Sequence, residues 1–332
     1  MRIAIVKLSA IGDIVHAMIV LQFIKNFNKE ILIDWFVDRE FKELLENNDD
    51  INQIYTLNLK KAKKNKSLLI LLTELNKLKK LDYYDVVIDI QGLIKSAVIS
   101  KLIPSKKTIG FDRDSIRERL ASSFYSDKFQ SPYSQNVIDR NISLVAFSLG
   151  FNVSNKQIQN KNPFIFARKQ KINFNLSNSK KNIILIPGAS HISKCYPANK
   201  FAELSKLIDA NFVVIWGNEK EKLVAEKIKE FSPKILVCNK LSLEKLIILI
   251  SMVDLVIGPD TGPTHISWAL NIPSITLFGP TPGYRNTYET SINKIIESGS
   301  KVNPYKIDKS DKSIRFIDVQ NIADVANQLI GK

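Results

Sequence analysis

Short apolar strands alternate with amphipathic helices along this 332-residue chain, and that alternation limits the possible fold more than any other feature. In the first half, runs typical of buried strands begin near Arg2, Ile31, Gln53 and Tyr84, with segments of helical spacing after them. Buried strands of four to eight residues separated by helices are typical of parallel βαβ units. The first half is therefore predicted to be a doubly wound α/β domain.

A second series of strands and helices begins at residues 182–187. The residues between the two series, 153–181, are rich in Asn, Lys and Ser, which is typical of a linker and its flanks. We therefore predict an α/β protein of two Rossmann-like domains, residues 1–165 and 166–332, that face each other across a cleft. The last helical segment, 319–329, is a candidate to pack back on the first domain.

The chain is strongly basic, with a net charge of +15 from 48 basic and 33 acidic side chains. Such an excess favours polyanionic partners: nucleic acid, an acidic membrane or a phosphorylated glycolipid. Genome base composition is an equally plausible source of a Lys-, Asn- and Ile-rich sequence. The local lysine cluster includes no aromatic side chain for base stacking, which argues against nucleic acid. Its members are Lys60, Lys61, Lys63, Lys64, Lys66, Lys77, Lys79 and Lys80.

The N-terminal sequence does not resemble a targeting segment. Its apolar run is interrupted by Lys7 and is followed by a Gly-Asp pair without a small-residue cleavage site. No apolar run approaches the roughly 20 residues that a membrane-spanning helix needs. We therefore expect a cytoplasmic protein. The two cysteines, Cys195 and Cys238, have neither a disulfide pattern nor metal-ligand spacing, so free thiols are expected.

The loop after the first strand reads Ser-Ala-Ile-Gly-Asp-Ile-Val-His over residues 9–16. Gly12 permits a tight turn, and Asp13 follows where a helix begins. One interpretation makes Asp13 a first-turn acid that the helix dipole stabilises. The other makes it a general base, because ligands of doubly wound sheets bind at the carboxyl ends of the strands.

The loop after the first strand of the second half reads Pro-Gly-Ala-Ser-His-Ile-Ser-Lys-Cys-Tyr-Pro over residues 187–197. A glycine, two hydroxyls and Lys194 between a strand and a helix are typical of a phosphate site built from backbone amides, hydroxyls and one cation. The spacing of a P-loop is absent. A dinucleotide site of the nicotinamide type is also disfavoured, because no G-x-G-x-x-G follows the first strand.

The most specific motif is Gly-Pro-Asp-Thr-Gly-Pro-Thr-His-Ile at residues 258–266. Gly262 and Pro263 indicate a helix N-terminus, whose free N–H groups and positive dipole end suit a pyrophosphate. Asp260 would repel phosphate unless it orients the loop or binds a sugar hydroxyl. For His265, a structural role within the helix remains the simple alternative.

Asp112 and Asp114 have the D-x-D spelling of some metal sites, but they follow Gly110 and Phe111 in a basic segment that we interpret as a loop. We therefore predict no metal here. Arginine forks in this segment suit phosphates and carboxylates of an acceptor, although a solvated basic surface explains them equally well.

Three strings together resemble the lipopolysaccharide heptosyltransferases of glycosyltransferase family 9: LSAIGDIVHA, PGASHISKCYP and GPDTGPTHISWAL with the following PSITLFGPT. The segment RDSIRERLASSFYSDKFQSPYSQNVIDR is most similar to members that add the first heptose of the inner core. The resemblance runs in order to about residue 285. It implies a GT-B fold, inverting transfer without a required cofactor, ADP-heptose as donor and Kdo-lipid A as acceptor.

At matching positions, the resemblance implies that Asp13 is the catalytic base and that Lys194 meets the donor phosphates and assists catalysis. Glu221 matches an acid on the ribose hydroxyls, with Glu219 as an alternative. Tyr196 and Leu241 replace a Trp and a Met that are familiar there, and both keep an apolar wall. The donor-binding set is Ser190, His191, Lys194, Glu221, Leu241, Asp260, Thr261, Gly262 and His265. The acceptor-binding set is Gly12, Lys95, Arg113, Arg117 and Tyr133.

Two other functions remain open from the sequence. One is a sister transferase that adds a later heptose or another sugar, and the other is a non-catalytic protein that binds a nucleotide sugar or glycolipid. Because the implied acceptor is an anionic lipid, we expect peripheral binding to the cytoplasmic face of the inner membrane.

Overall fold

The computed structural model describes residues 1–168, 170 and 172–331, apart from the side chains of residues 62, 63, 68 and 71. The chain divides into two compact units, Met1–Phe166 and Ala167–Lys332. In the described part of the chain, each unit contains one six-stranded sheet. All strand pairs among the described residues are parallel.

The first unit has the strand order β3-β2-β1-β4-β5-β6, so the direction in which successive strands are added to the sheet reverses between β1 and β4, which is the topological switch point. Its core is formed by apolar strand residues such as Ala4, Val6 and Val87. The strands are β1 (Arg2–Val6), β2 (Leu32–Asp38), β3 (Gln53–Leu57), β4 (Tyr84–Asp89), β5 (Ser105–Phe111) and β6 (Asp127–Phe129). The helices are α1 (Ile11–Met18), α2 (Val20–Phe27), α3 (Leu59–Lys64), α4 (Leu68–Leu78), α5 (Ile94–Leu102), α6 (Val137–Leu149) and α7 (Asn155–Gln159).

The second unit repeats this topology, with the order β12-β11-β10-β7-β8-β9 and a reversal between β7 and β10. Its strands are β7 (Asn182–Leu185), β8 (Asn211–Val214), β9 (Leu236–Val237), β10 (Leu255–Pro259), β11 (Ser274–Phe278) and β12 (Asn293–Glu297). Its helices are α8 (Ala198–Leu207), α9 (Glu219–Phe231), α10 (Leu243–Ser251), α11 (Gly262–Ala269), α12 (Gly283–Asn286) and α13 (Val319–Leu329).

The last helix, α13, packs on α8 and β11 of the second unit. Val319, Ile322 and Ala326 are buried in the apolar core of that unit. The structure thus describes the packing of this segment within the second unit, and the suggestion that it also packs back on the first domain stays a prediction. Helical spacing shows that a segment has an apolar face, but it does not show which core will bury that face.

Three strands, β5, β6 and β12, were not predicted. β5 begins with Ser105, Lys106 and Lys107, and these charges led us to interpret the segment as a basic loop. Lys106 and Lys107 are exposed, whereas residues 108–111 are buried. The strand therefore forms through its second half and its pairing with β4, which local composition does not reveal.

Candidate functional site

Asp13 lies in the first turn of α1, after the loop that follows β1 at the topological switch point of the first unit. Its carboxylate is exposed and accepts a hydrogen bond from the backbone N–H of Ala10 at 3.3 Å. Asp13 therefore has the structural role of a first-turn acid, which was one of the two interpretations from the sequence. It leaves lone pairs of the carboxylate available to a ligand, so both interpretations of Asp13 fit the geometry.

Two buried charged groups lie close to this loop and were not singled out from the sequence. Lys7 immediately follows β1, and Asp89 ends the neighbouring strand β4. Burial lowers the pKa of Lys7, although the carboxylates of Asp13 and Asp89 oppose that effect. Burial raises the pKa of Asp89, against hydrogen bonds that include one from the Tyr125 hydroxyl at 2.8 Å. The only sequence signal was that each charge ends an apolar strand.

Gln91 links the loop after β4 to the loop after β1 at the switch point. Its Oε1 accepts hydrogen bonds from the backbone N–H groups of Leu8 and Ser9, at 2.8 and 3.2 Å. The predicted acceptor residue Lys95 is exposed and reaches the Ser9 hydroxyl at 3.3 Å. Gln91 and Lys95 therefore hold the segment that leads to Gly12, which is half-buried.

The other predicted acceptor residues lie in the segment after β5. Arg113 and Arg117 are exposed, as expected either for ligand contacts or for a solvated surface. Tyr133 is half-buried against the guanidinium of Arg140, whose carbon lies 5.2 Å from the ring centroid. The structure therefore gives Tyr133 a packing role, and its proposed contact with an acceptor stays a prediction.

The D-x-D spelling has a structural explanation. The Asp112 carboxylate accepts hydrogen bonds from both the backbone N–H and the hydroxyl of Ser115, which closes the turn after β5. Asp114 is exposed and lies 4.0 Å from Arg119. Among the described residues, no group of three His, Cys, Asp or Glu side chains could hold a metal ion.

In the second unit, Asp260 is the centre of a buried polar cluster at the carboxyl end of β10. One carboxylate oxygen, Oδ2, is 2.8 Å from the Lys194 amine and accepts hydrogen bonds from Thr281 and Asn286, at 3.0 and 3.2 Å. The other, Oδ1, lies 3.0 Å from Nε2 of His265. We call these five residues the Asp260 cluster.

The charges of this cluster compensate one another. Burial alone would favour the neutral acid, but Lys194 and His265 outweigh it and hold the pKa of Asp260 well below its usual range. Asp260 is therefore ionised, and it orients the Lys194 amine in a nearly buried position. This resolves the objection that Asp260 would repel a phosphate, because its charge is already paired.

Helix α11 begins directly after Asp260. Thr261 is its N-cap residue and Gly262 its first residue, as the motif indicated. The Thr264 hydroxyl donates to the carbonyl oxygen of Thr261 at 2.6 Å and lies 3.0 Å from that of Pro259, and it so fixes the turn that enters the helix. His265 extends from this helix to Asp260 through Nε2, which fits a structural role, and its assignment to the donor stays a prediction.

The loop after β7 contains the remaining cation and hydroxyls. Ser190 is exposed, and His191 caps the short 3₁₀ helix Ile192–Lys194 by accepting a hydrogen bond from the Ser193 N–H at 3.3 Å. This helix turns Lys194 inward, where it is 9% exposed and reaches Asp260. Two loops that are distant in sequence therefore meet at the switch point of the second sheet.

Glu221 lies against the same edge of the sheet. Its carboxylate accepts hydrogen bonds from the Gly217 N–H at 2.8 Å and the Asn218 side chain at 2.6 Å. A Cβ atom at Gly188 would lie 2.3 Å from Cδ of Glu221, so this side chain packs directly over the glycine of the loop at residues 187–197. Of the two acids, Glu221 is the one that packs over Gly188, so the geometry favours Glu221 over Glu219.

Two apolar positions differ in their placement. Leu241 is half-buried just before α10, after β9, where it remains available as a wall for a ligand. Tyr196 is 1% exposed, and its hydroxyl donates to the carbonyl of Ile317 at 2.9 Å. Tyr196 is therefore a core residue, and the expectation that it forms a wall of the site is wrong. The thiols of Cys195 and Cys238 are free.

The profile of glycosyltransferase family 9 (heptosyltransferase) matches residues 75–310. The chain belongs to this family. As a family 9 heptosyltransferase it is an enzyme, and the predicted family is confirmed. The chain is 42% identical to lipopolysaccharide heptosyltransferase 1 of Campylobacter coli, over 100% of this chain and 99% of the relative. It is 28% identical to lipopolysaccharide heptosyltransferase 1 of Escherichia coli K12, over 87% and 91% of the two chains.

Solved structures of heptosyltransferases share the fold. The E. coli heptosyltransferase WaaC with ADP matches 99% of this chain and 100% of its own, with a TM-score of 0.79 and 23% identity. The E. coli ADP-heptose heptosyltransferase II matches 99% and 98%, with a TM-score of 0.71 and 18% identity. The predicted α/β fold of the GT-B type, with two doubly wound units, is thereby confirmed.

Proposed function

We propose that this family 9 enzyme transfers L-glycero-D-manno-heptose from ADP-heptose to the Kdo of Kdo-lipid A, with inversion at the sugar carbon. The observation that supports it best is the Asp260 cluster, which presents an oriented lysine beside a helix N-terminus at the switch point of the second sheet. Relatives named lipopolysaccharide heptosyltransferase 1 and a WaaC structure named for bound ADP-2-deoxy-2-fluoro heptose favour this donor and this step.

The donor diphosphate would lie over Gly262 and Lys194. An ammonium has three N–H donors, and the contact with Asp260 at 2.8 Å uses one of them. The others remain for phosphate oxygens. When the bond to the sugar breaks, negative charge develops on the departing ADP, and Lys194, Ser190 and the N–H groups of α11 would stabilise it. Glu221 would bind the ribose hydroxyls, with Leu241 near the adenine.

Asp13 would act as the general base for the attacking hydroxyl. Its exposed carboxylate keeps lone pairs free beyond the contact with Ala10, as proton transfer requires. One carboxylate is sufficient because a diphosphate leaves without being protonated, whereas a glycosidase needs two carboxyl groups. A single in-line displacement then inverts the configuration at the sugar carbon. No metal or other cofactor has a part in this proposal.

The acceptor would be bound by Lys95, Arg113, Arg117 and Tyr133, beside Gly12. The exposed guanidinium groups suit the carboxylate of Kdo and the phosphates of lipid A, because arginine forks pair with both. Among the described residues, no helix is long and apolar enough to cross a membrane. We propose that the enzyme reaches its lipid acceptor as a peripheral protein of the cytoplasmic face of the inner membrane.

The decisive experiment incubates the pure protein with ADP-heptose and Kdo-lipid A and follows the acceptor by mass spectrometry. A mass increase of one heptose residue is expected. Acceptors that already carry one heptose separate this function from that of a sister enzyme, since they should not react. Release of ADP without any glycosylated acceptor, or transfer to the later acceptors alone, contradicts the proposal.

A further inference from the structure

Helices α3 and α4 and the residues around them form a strongly basic surface segment of the first unit. We call residues 58–80 the lysine hairpin. It contains eight lysines and one glutamate, which gives it seven of the chain's net +15 charges. The proposed reaction accounts for none of these lysines, so the segment requires a separate explanation.

Helix α4 has two faces of different character. Leu75 and Leu78 pack towards the core of the first unit. The opposite face has the spacing i, i+3, i+4, i+7 and consists of Leu69, Leu72, Thr73 and Asn76, all exposed. Leu69 is 76% and Leu72 48% exposed, so two large apolar side chains project from the helix into solvent.

Lysines flank these leucines on both sides along the chain. Lys60 pairs with Glu40 at 2.5 Å, and Lys77 pairs with Glu74 at 2.9 Å. The others in the described structure form no ion pair and are exposed: Lys61, Lys64, Lys66, Lys79 and Lys80. The side chain of Lys63 lies outside the described structure. An apolar helix face bordered by unpaired cations is typical of a helix that lies in the surface of an anionic bilayer.

We propose that the lysine hairpin docks on an anionic membrane, with Leu69 and Leu72 inserted below the lipid headgroups and the unpaired lysines at the level of the phosphates. The inference rests on the proposed function, because a lipid-linked acceptor brings the enzyme to a membrane. It adds a non-electrostatic anchor to that function. A second copy of the chain is a poor occupant of this face, since two lysine hairpins would repel each other.

Two contributions to docking then differ in their response to salt. Attraction between lysines and anionic lipids weakens as ionic strength rises, because salt screens charges beyond about 8–10 Å. Burial of leucine side chains is not screened in this way. Electrostatic attraction determines which membrane is chosen, and the leucines hold the protein on it.

Tryptophan fluorescence can measure the insertion directly. The Leu69→Trp variant is mixed with vesicles that contain a zwitterionic lipid and the anionic lipid phosphatidylglycerol, because basic segments are attracted to anionic membrane surfaces. Its emission should shift to the blue, and lipids brominated on their acyl chains should quench it. The wild-type spectrum is subtracted, since the chain has three tryptophans of its own, of which Trp35 and Trp268 are at most 1% exposed.

The matched control is Leu223→Trp on α9, because Leu223 is 73% exposed. Its emission should not shift, and acyl-chain bromines should not quench it. Equal quenching of both variants would indicate non-specific adsorption and would overturn the proposal. A Leu69→Trp variant that binds the vesicles while its added tryptophan stays in water would overturn it as well.

Partitioning completes the test. We expect Leu69→Ser with Leu72→Ser to lower the partition coefficient on these vesicles at least about tenfold, and to leave its dependence on salt unchanged. Leu223→Ser should have no effect. Transfer to a detergent-dispersed acceptor reports the proposed function separately. If transfer occurs while the serine variants partition normally, the enzyme assignment stands and the leucine anchor is wrong.

Discussion

The carboxylate of Asp13 combines a helix-stabilising contact with a candidate chemical role, and two substitutions separate them. Asp13→Asn keeps an acceptor for the Ala10 N–H but cannot remove a proton, whereas Asp13→Ala lacks both functions. Both variants should lose about 10²–10⁴-fold in kcat, the usual contribution of a general base. Only Asp13→Ala should also lose about 1 kcal/mol of stability.

Steady-state kinetics, thermal unfolding and ADP titration check this prediction together. ADP affinity should be near normal in both variants, because Asp13 lies in the first unit and the predicted donor residues lie in the second. If Asp13→Ala keeps more than about a tenth of wild-type kcat, Asp13 is a structural residue and another group removes the proton.

Lys194 stabilises the fold through Asp260 and is also predicted to bind the donor phosphates. Lys194→Ala leaves an ionised carboxylate buried without its cation, which should cost about 3–5 kcal/mol of stability. The double variant Lys194→Ala with Asp260→Asn removes both charges and should recover much of that loss. ADP affinity should stay reduced, by about 10- to 100-fold, in the single and the double variant alike.

Calorimetric titration and chemical denaturation of the same samples separate these two effects. Asp260→Asn alone keeps the Lys194 cation and removes the carboxylate that orients it, so its ADP affinity should lie between those of the wild type and the double variant. Recovery of ADP affinity in the double variant would mean that Lys194 acts only through folding, and its assignment to the phosphates would be wrong.

At the scale of elements, the loop after β7 and the start of α9 depend on each other through a close approach. Gly188 leaves no room for a side chain, since an added Cβ would lie 2.3 Å from Cδ of Glu221. Gly188→Ala should therefore displace Glu221 and weaken ADP binding about tenfold, the effect of one lost hydrogen bond to a charged group.

Gly217→Ala is the matched control, because its Cβ would meet the Glu221 carboxylate only at 3.4 Å, an ordinary contact. It should bind ADP like the wild type. Titration with ADP that lacks the ribose hydroxyls tests the assigned role. If Glu221 binds those hydroxyls, the difference between Gly188→Ala and wild type should disappear with this ligand. If the difference in affinity persists with this ligand, Gly188→Ala acts through the loop at residues 187–197 and not through Glu221.

At the scale of the whole molecule, the two units share one topology but have different predicted tasks. Hydrogen exchange on the full chain can tell them apart. ADP should slow exchange most strongly in the second unit, at residues 187–194, 217–221 and 260–265, because these segments form the predicted donor site. Strongest protection in the first unit, at residues 8–13, would reverse the assignment of donor and acceptor to the two units.

Much of this architecture follows from local sequence. Apolar runs such as residues 2–6 and 182–185 form buried parallel strands because a strand covered on both faces needs apolar residues at successive positions. The turn residues that follow strands predicted the loops that reach the carboxyl edges of the sheets, including those of Asp13 and Gly262. Where neighbouring residues carry the signal, the predictions of the fold class and of the loops at the carboxyl ends of the strands agree with the structure.

Only the tertiary structure decided which groups meet. Lys194 lies 66 positions before its partner Asp260, and Thr281 and Asn286 lie 21 and 26 positions after it. No local pattern connects them, and Thr281 and Asn286 were not predicted as members of a site. Strand β5 and the packing of α13 also depend on distant partners. Sequence periodicity fixes which face of an element is apolar, whereas pairing across the fold fixes what that face and its charges contact.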